Sequence, residues 1–255
     1  MGKRSKQAIK VVALLPSAGP GKRIGKGVKK PFLSIGDRPI LAETIERVHA
    51  VGHITEIIPI LQESDMELCL EKIVERYRFH KIKRIAPGGH ERQDSVYNGL
   101  KFVDPRTDLV LIHDGVRPFV TSDLIEEVIT SALEEDGAVV GVPVKETIKE
   151  VGHDGFVKRT PPRNYLWSIQ TPQVFHYRII FEAYETAYRD NFYSTDDASL
   201  VERIGGNVKV IMGSHDNIKI TTPEDLILGE IILKRQKERG YADQPEIHLG
   251  KVKNF

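Results

Sequence analysis

Disulfide chemistry is missing from this chain. It carries one cysteine, Cys69, and one thiol cannot close an internal bridge. Cys69 lies in the amphipathic stretch 64–77 and is expected to pack as an apolar residue in a reducing compartment. Long hydrophobic runs are missing too, since no segment approaches the ~20 apolar residues of a membrane span. The N-terminal MGKRSKQAIKVVALLPSAG places cations before an apolar core. That core, Val11 to Leu15, is shorter than the roughly 7–15 residues of a secretory signal. N-myristoylation takes Ser or Thr where this chain has Lys6. A soluble cytoplasmic protein with no membrane partner is expected. Nor is one sign of charge in excess: 37 Lys and Arg face 36 Asp and Glu. General polyanion binders carry a strong basic surplus, so no nucleic-acid partner is expected.

Three chemical signatures are also lacking. No Ser or Thr follows a Gly-Lys pair, which excludes a Walker A loop. Gly19, Gly21 and Gly25 give G-x-G-x-x-x-G, one residue too long for a dinucleotide loop. His49 and His53 are four residues apart, but no H-E-x-x-H pattern or third ligand accompanies them, so zinc is not expected.

What is present is a concentrated basic loop. Residues 19–30 read GPGKRIGKGVKK, with Lys22, Arg23, Lys26, Lys29 and Lys30 among four glycines. It follows the apolar run Val11-Val12-Ala13-Leu14-Leu15. A glycine-rich turn after a buried strand lets backbone N–H groups approach an anion. One phosphate does not need five cations, whereas a triphosphate uses most of them. The alternative is a basic, solvated surface loop.

Strand-like runs at 9–15, 55–61, 82–86, 108–113 and 138–142 alternate with amphipathic stretches at 39–51, 64–77, 94–103 and 121–135. Such alternation predicts an α/β fold, with a mostly parallel sheet covered on both faces. Ligands in these sheets sit beyond the strand carboxyl ends, where every polar motif of this chain falls. After residue 143 the pattern changes. VPVKETIKEVGHDGFVKRTPPRNYLW alternates polar and apolar residues and reads as an extended, hairpin-like arm at about 143–171, inserted in one domain spanning 1–255. Tyr165 and Trp167 in it are expected to pack against a partner or the core. Helices at 176–190 and 196–204, short strands at 207–211 and 217–221, and a last helix from Pro223 to about Arg239 complete the reading.

Three further motifs carry polar groups. In PGGHERQDSVYNGL, residues 87–100, Asp94 or Ser95 is expected to cap the next helix. Gly88, Gly89 and Arg92 go beyond what a plain turn needs, and backbone groups with Ser95 suit a base edge. In VLIHDGVRPFV, residues 110–120, Asp114 at a strand tip suits Mg²⁺ bound to phosphates. An internal Asp114–Arg117 ion pair is the plainer alternative. In SHDNIKITTPEDL, residues 214–226, period-two alternation puts Lys219 and Thr221 opposite Ile218 and Ile220. Thr222 and Pro223 look like a cap and first residue of the last helix, and Ser194 or Thr195 is a candidate cap for 196–204.

Taken in order, PSAGPGKRIG…KKPFL, GGHERQDSVYNGL, VLIHDGVRPFV, RNYLWSIQTPQVF and STDDASLVE…DNIKITTPEDL resemble the 2-C-methyl-D-erythritol 4-phosphate cytidylyltransferase family over roughly 10–235. The resemblance implies a Rossmann-like nucleotidyltransferase that transfers CMP from CTP to a polyol phosphate and releases pyrophosphate, with Mg²⁺ or another divalent cation. It implies Arg23, Lys30 and Lys219 as catalytic cations. Ser17, Ala18, Gly19 and Gly21 would line the nucleotide loop, with Gly89, His90 and Ser95 at the cytosine. Asp114 and Arg117 would lie between metal, ribose and acceptor. It also implies a homodimer with arm exchange, in which Thr147, Arg163 and Thr171 face Thr195 and Lys219 of the other subunit. The chain departs from the family's pattern at Lys29-Lys30-Pro31-Phe32, where Lys29 could share the role of Lys30, at Gly115-Val116 and at Glu146. The competing readings are a ribitol 5-phosphate cytidylyltransferase and a non-catalytic nucleotide-binding protein of the same fold.

Overall fold

A computed structural model of the chain describes residues 9–19 and 29–240. Seven strands form the central sheet: β1 (Val11–Pro16), β2 (Ile54–Leu61), β3 (Ala86–Pro87), β4 (Leu109–Ile112), β5 (Gly137–Pro143), β6 (Trp167–His176) and β7 (Val208–Met212). Their spatial order is β7-β5-β6-β4-β1-β2-β3. All are parallel except β6, which runs antiparallel to both its neighbours, β4 and β5. The helices are α1 (Ile40–His49), α2 (Glu63–Cys69), α3 (Arg92–Leu100), α4 (Ser122–Ala132), α5 (Tyr177–Arg189), α6 (Ala198–Arg203) and α7 (Pro223–Glu238). A π-helical segment, Leu70–Glu75, continues α2.

The near-continuous apolar run of β1 has a direct cause. Val11, Ala13 and Leu15 enter one core with α1 and α4, whereas Val12 and Leu14 enter a second core with α3, α5 and α6. Successive side chains of a strand point to opposite faces, and here both faces are covered. Each Val or Leu so buried stabilises the fold by roughly 1.5–3 kcal/mol. A third cluster, with Ile35, Phe119, Ile220 and Ile232, seats α7. Among the described residues, no helix is long and apolar enough to cross a membrane.

Three expectations are corrected. Residues 217–221 do not form a strand. They run along the loop after β4, to which Ile220 N–H donates once, at Val116 O (2.9 Å), and they find no sheet edge to pair with. The expected strand at 82–86 shrinks to Ala86–Pro87 with an isolated Ile57–Ile82 bridge. β6 falls where the arm was expected to end. Pro172 argues against a central strand, but the ladder with β5 shifts register between Ile169 and Gln173, and the irregularity accommodates the proline.

β6 explains where the arm emerges. β5 ends, and antiparallel β6 begins, at the carboxyl end of the parallel strands. The segment between them leaves the sheet there. It contains a short hairpin, Glu150–Val151 against Val157–Arg159, whose turn uses Gly155 at φ +82. A non-glycine residue is disfavoured at that angle. Ile148, Val151, Phe156, Val157 and Tyr165 are exposed along the arm.

Candidate active site

The strand ends define the site before any side chain is considered. Ser17 N–H donates to Ile60 O, Gly88 N–H to Leu61 O, His113 N–H to Leu14 O and Gly115 N–H to Pro16 O, at 2.7–3.1 Å. These bonds carry the backbone of three loops, those after β1, β3 and β4, into register just past the sheet. Two glycines permit the close approach. A Cβ on Gly88 would lie 2.3 Å from Ala18 Cβ, and one on Gly115 would lie 2.0 Å from Ser17 Oγ.

Above them lies a cleft of about 720 Å³, within the usual range for a ligand site. Its wall includes Ser17, Ala18, Gly19 and Lys30 from the first loop and Gly89, His90, Arg92 and Ser95 from the second. Asp114, Val116 and Lys219 also line it, as does Glu91. Gly21 and Arg23 lie outside the described residues. Of the two adjacent lysines, Lys29 forms an ion pair with Asp65 on α2, and Lys30 lines the cleft.

Asp114 is the electrostatic centre. It is 5% exposed. Lys219 Nζ is 3.0 Å and Arg117 Nε 3.1 Å from its Oδ2, and Arg92 Nε is 3.5 Å from its Oδ1. The expected Asp114–Arg117 pair therefore exists, inside a larger cluster. Burial alone would raise the Asp114 pKa, but Arg92, Lys219 and Arg117 outweigh it and hold the carboxyl well below the ordinary range. Arg117 Nη1 also donates to Asn217 O at 2.8 Å, which ties the β4 loop to the segment bearing Lys219.

Local hydrogen bonds set the second loop. Asp94 is the third residue of α3, not its cap. Glu91 holds the cap position, and Asp94 Oδ2 accepts from Glu91 N–H at 2.9 Å in a capping box. Ser95 lies one residue further inside. Its hydroxyl accepts from Gly89 N–H (3.0 Å) and donates to Glu91 O (3.1 Å). The expected cap at Ser194 or Thr195 is also corrected, because Asp197 precedes α6 with no side-chain cap bond. Thr222 does cap α7, with Pro223 following.

The remaining predicted residues divide. Thr171 is buried, and both functions of its hydroxyl are engaged within its own chain. It accepts from Asp114 N–H and donates to His113 Nδ1, each at 3.0 Å. His113 Nε2–H then donates to Arg117 O at 3.0 Å. Its place is thus beneath Asp114, in contrast to the expected contact across a dimer. Thr147 and Arg163 are exposed on the arm, with Arg163 Nη1 donating to Lys145 O at 2.6 Å. Thr195 is exposed ahead of α6. Neither arm residue lines the cleft of its own chain.

The sequence reading missed Asp197 and Tyr184 and gave Arg92 no role. Arg92 donates to both oxygens of Asp197, and Tyr184 shares that carboxylate. Asp197 sits in a run that reads as a helix start, and Tyr184 occupies a core position of α5. The doubled acid in STDDASLVE was the available signal.

Relatives share this chain's sequence and fold. A family model described as 2-C-methyl-D-erythritol 4-phosphate cytidylyltransferase matches residues 11–235. A protein of that name from Clostridioides difficile (strain 630) is 49% identical over 224 residues, covering 88% of this chain and 94% of its own. Another from Geobacter metallireducens is 45% identical over 229 residues, covering 89% and 98%. The crystal structure of 4-diphosphocytidyl-2C-methyl-D-erythritol synthase from Anaerococcus prevotii superposes with a TM-score of 0.80 at 35% identity, covering 89% of this chain and 97% of that one.

The buried histidine gives a pH prediction. Burial lowers the His113 pKa to about 4, chiefly by desolvation, from an ordinary value near 6.5. Between those values the unfolded chain binds a proton that the folded chain does not, so stability falls as pH drops through this window. Urea unfolding at pH 7.5 and pH 4.5 should show His113→Gln losing roughly 2 kcal/mol less than the parent on acidification. Equal losses in both proteins would refute the assignment.

Proposed function

The chain belongs to the 2-C-methyl-D-erythritol 4-phosphate cytidylyltransferase family, and we propose that its cleft transfers CMP from CTP to 2-C-methyl-D-erythritol 4-phosphate, a step of isoprenoid precursor synthesis. The observation that carries the reading at the site is the gathering of Arg92, Arg117 and Lys219 around one buried carboxylate, with Lys30 on the wall of the same cleft.

An acceptor phosphate oxygen attacks the α-phosphorus. One P–O bond forms, the bond from the α-phosphorus to the bridging oxygen breaks, and its electron pair leaves with pyrophosphate. The attacking oxygen is already an anion, so no general base is required. The protein's task is positioning and charge neutralisation. In this reading Arg23 and Lys30 face the CTP phosphates, and Lys219 faces the α-phosphate as charge develops. Ser17, Ala18, Gly19 and Gly21 present the loop backbone. Gly89, His90 and Ser95 meet the cytosine, and the Ser95 bond to Gly89 N–H fixes that loop's shape. Arg117 meets the acceptor, and Thr171 holds Asp114 from below.

Among the described residues no three acidic, His or Cys side chains gather as a metal site. Asp114 and Glu91 are the carboxylates among the residues lining the cleft, and Asp114 is the one at the strand tip. That donor set fits Mg²⁺ carried largely by phosphate oxygens, with Asp114 as its protein ligand. The bound ion would supply neutralisation of the triphosphate.

The working form in this proposal is a cytoplasmic homodimer. Exposed apolar side chains on the arm, together with Thr147 and Arg163 standing outside their own chain's cleft, support an arm that reaches the other subunit's Thr195 and Lys219.

Offering each polyol phosphate with CTP and Mg²⁺ while following pyrophosphate release tests the activity. The erythritol phosphate should be preferred. Preference for ribitol 5-phosphate would replace the acceptor, and CTP binding without turnover would make the protein a nucleotide binder. Lys219→Ala should lower kcat by about 10²-fold or more, the scale of one lost transition-state charge contact; an unchanged kcat would remove Lys219 from the mechanism. Mixing Arg163→Ala with Lys219→Ala subunits should restore part of the activity in mixed dimers, and no recovery would count against a shared site.

A further inference from the structure

Arg92 opens α3 directly after the glycine loop, and its side chain, 28% exposed, lines the cleft between that loop and Asp114. Its Nη1 donates to Asp197 Oδ1 at 3.0 Å and its Nη2 to Oδ2 at 2.7 Å. Asp197 is fully buried, and the Tyr184 hydroxyl donates to the same Oδ1 at 2.5 Å. A buried carboxylate stays charged only when it is paired and hydrogen-bonded. This one is both, and the two parallel bonds fix the guanidinium plane.

The consequence lies at the other end of that plane. Arg92 Nε stops 3.5 Å from Asp114 Oδ1, while Lys219 and Arg117 close to 3.0 and 3.1 Å on Oδ2. Within this cluster three cations meet two carboxylates. Without Asp197, the nearest acid for Arg92 is Asp114. The guanidinium would then swing onto Asp114 and draw its carboxylate away from Lys219 and Arg117.

We propose that Arg92 is a positioning residue for the nucleotidyl transfer, held by Asp197 and Tyr184 at the distance that keeps Asp114 aligned with Lys219 and Arg117. The inference rests on the reading of Asp114 and Lys219 as groups of the reaction centre. It predicts an effect on the chemical step, because a misplacement of about 1 Å at a reacting centre can cost as much as 10²-fold in rate. Asp197 does not itself line the cleft, and its carboxylate is bonded to Arg92 and Tyr184, so its effect passes through Arg92.

A double-mutant cycle on the full-length enzyme tests this, with kcat and KM for CTP measured alongside thermal unfolding. Arg92→Ala should lower kcat by about 10²-fold and Asp197→Asn by about tenfold, with KM for CTP changed less than about threefold. The double variant should match Arg92→Ala alone, since Asp197 has nothing left to position. Added guanidinium should restore part of the activity of Arg92→Ala but not of Asp197→Asn. Tyr184→Phe and Arg92→Lys, which keep the fold's volume, should each lose severalfold in kcat and carry the test if Asp197→Asn does not fold. Additive losses, or variants that unfold earlier yet turn over at the parent's kcat, overturn the inference. A parent enzyme active on CTP in the same run shows that such an outcome leaves the activity itself standing.

Discussion

A carboxylate buried under three cations is the constraint around which this end of the molecule is arranged. Asp114 is nearly inaccessible, and a lone charge there would be driven to neutralise. Arg92, Arg117 and Lys219 keep it ionised, and each comes from a different segment: the start of α3, the turn after β4 and the approach to α7. The carboxylate therefore acts as a fixed point for three pieces of chain far apart in sequence. Its backbone is fixed in turn by Thr171, which bonds a neutral His113 that holds the Arg117 carbonyl. Removing one partner of such a buried set is strongly destabilising because the rest are left uncompensated.

The sheet makes this convergence possible. Parallel strands deliver their carboxyl ends to one edge, where loops from β1, β3 and β4 meet. The antiparallel β6 brings a different group to the same edge. Its early residues, Gln170 and Thr171, pack beneath the β4 loop, where Asn217 Nδ2 donates to Thr171 O at 2.9 Å and to Gln170 Oε1 at 3.2 Å. A seventh parallel strand could not place an amino-terminal segment there. The reversed strand thus both anchors the Lys219 segment and sends the arm outward from the rim of the cleft.

Much of this was legible in the residues. The doubly apolar run of β1 foretells coverage on both faces, and Thr222-Pro223 foretells the start of α7, because both signals act locally. What was illegible depended on partners distant in sequence. Residues 217–221 have strand-like alternation, yet alternation cannot supply a sheet edge. Pro172 argues against a strand by a rule that an irregular ladder circumvents. Asp197 reads as a helix-start acid, and only the fold reveals that a guanidinium 105 residues away claims both of its oxygens. Lys29 and Lys30 are equivalent in sequence, and Asp65 on α2 distinguishes them.

A cluster of this kind also resolves a conflict between folding and phosphate chemistry. Several cations crowded into one cleft repel each other, which works against a compact fold in the absence of an anion. Asp114 relieves that repulsion in the folded chain by acting as an internal counter-ion. A phosphate arriving in the cleft can share or take over the ammonium of Lys219, whose side chain is the most exposed of the three, at 36%. Arg117, held by both Asp114 and the Asn217 carbonyl, is less able to move. The same contacts therefore order these three cations by exposure. The cation assigned to the α-phosphate in the proposed mechanism is the one of the three that the fold leaves most open to the cleft.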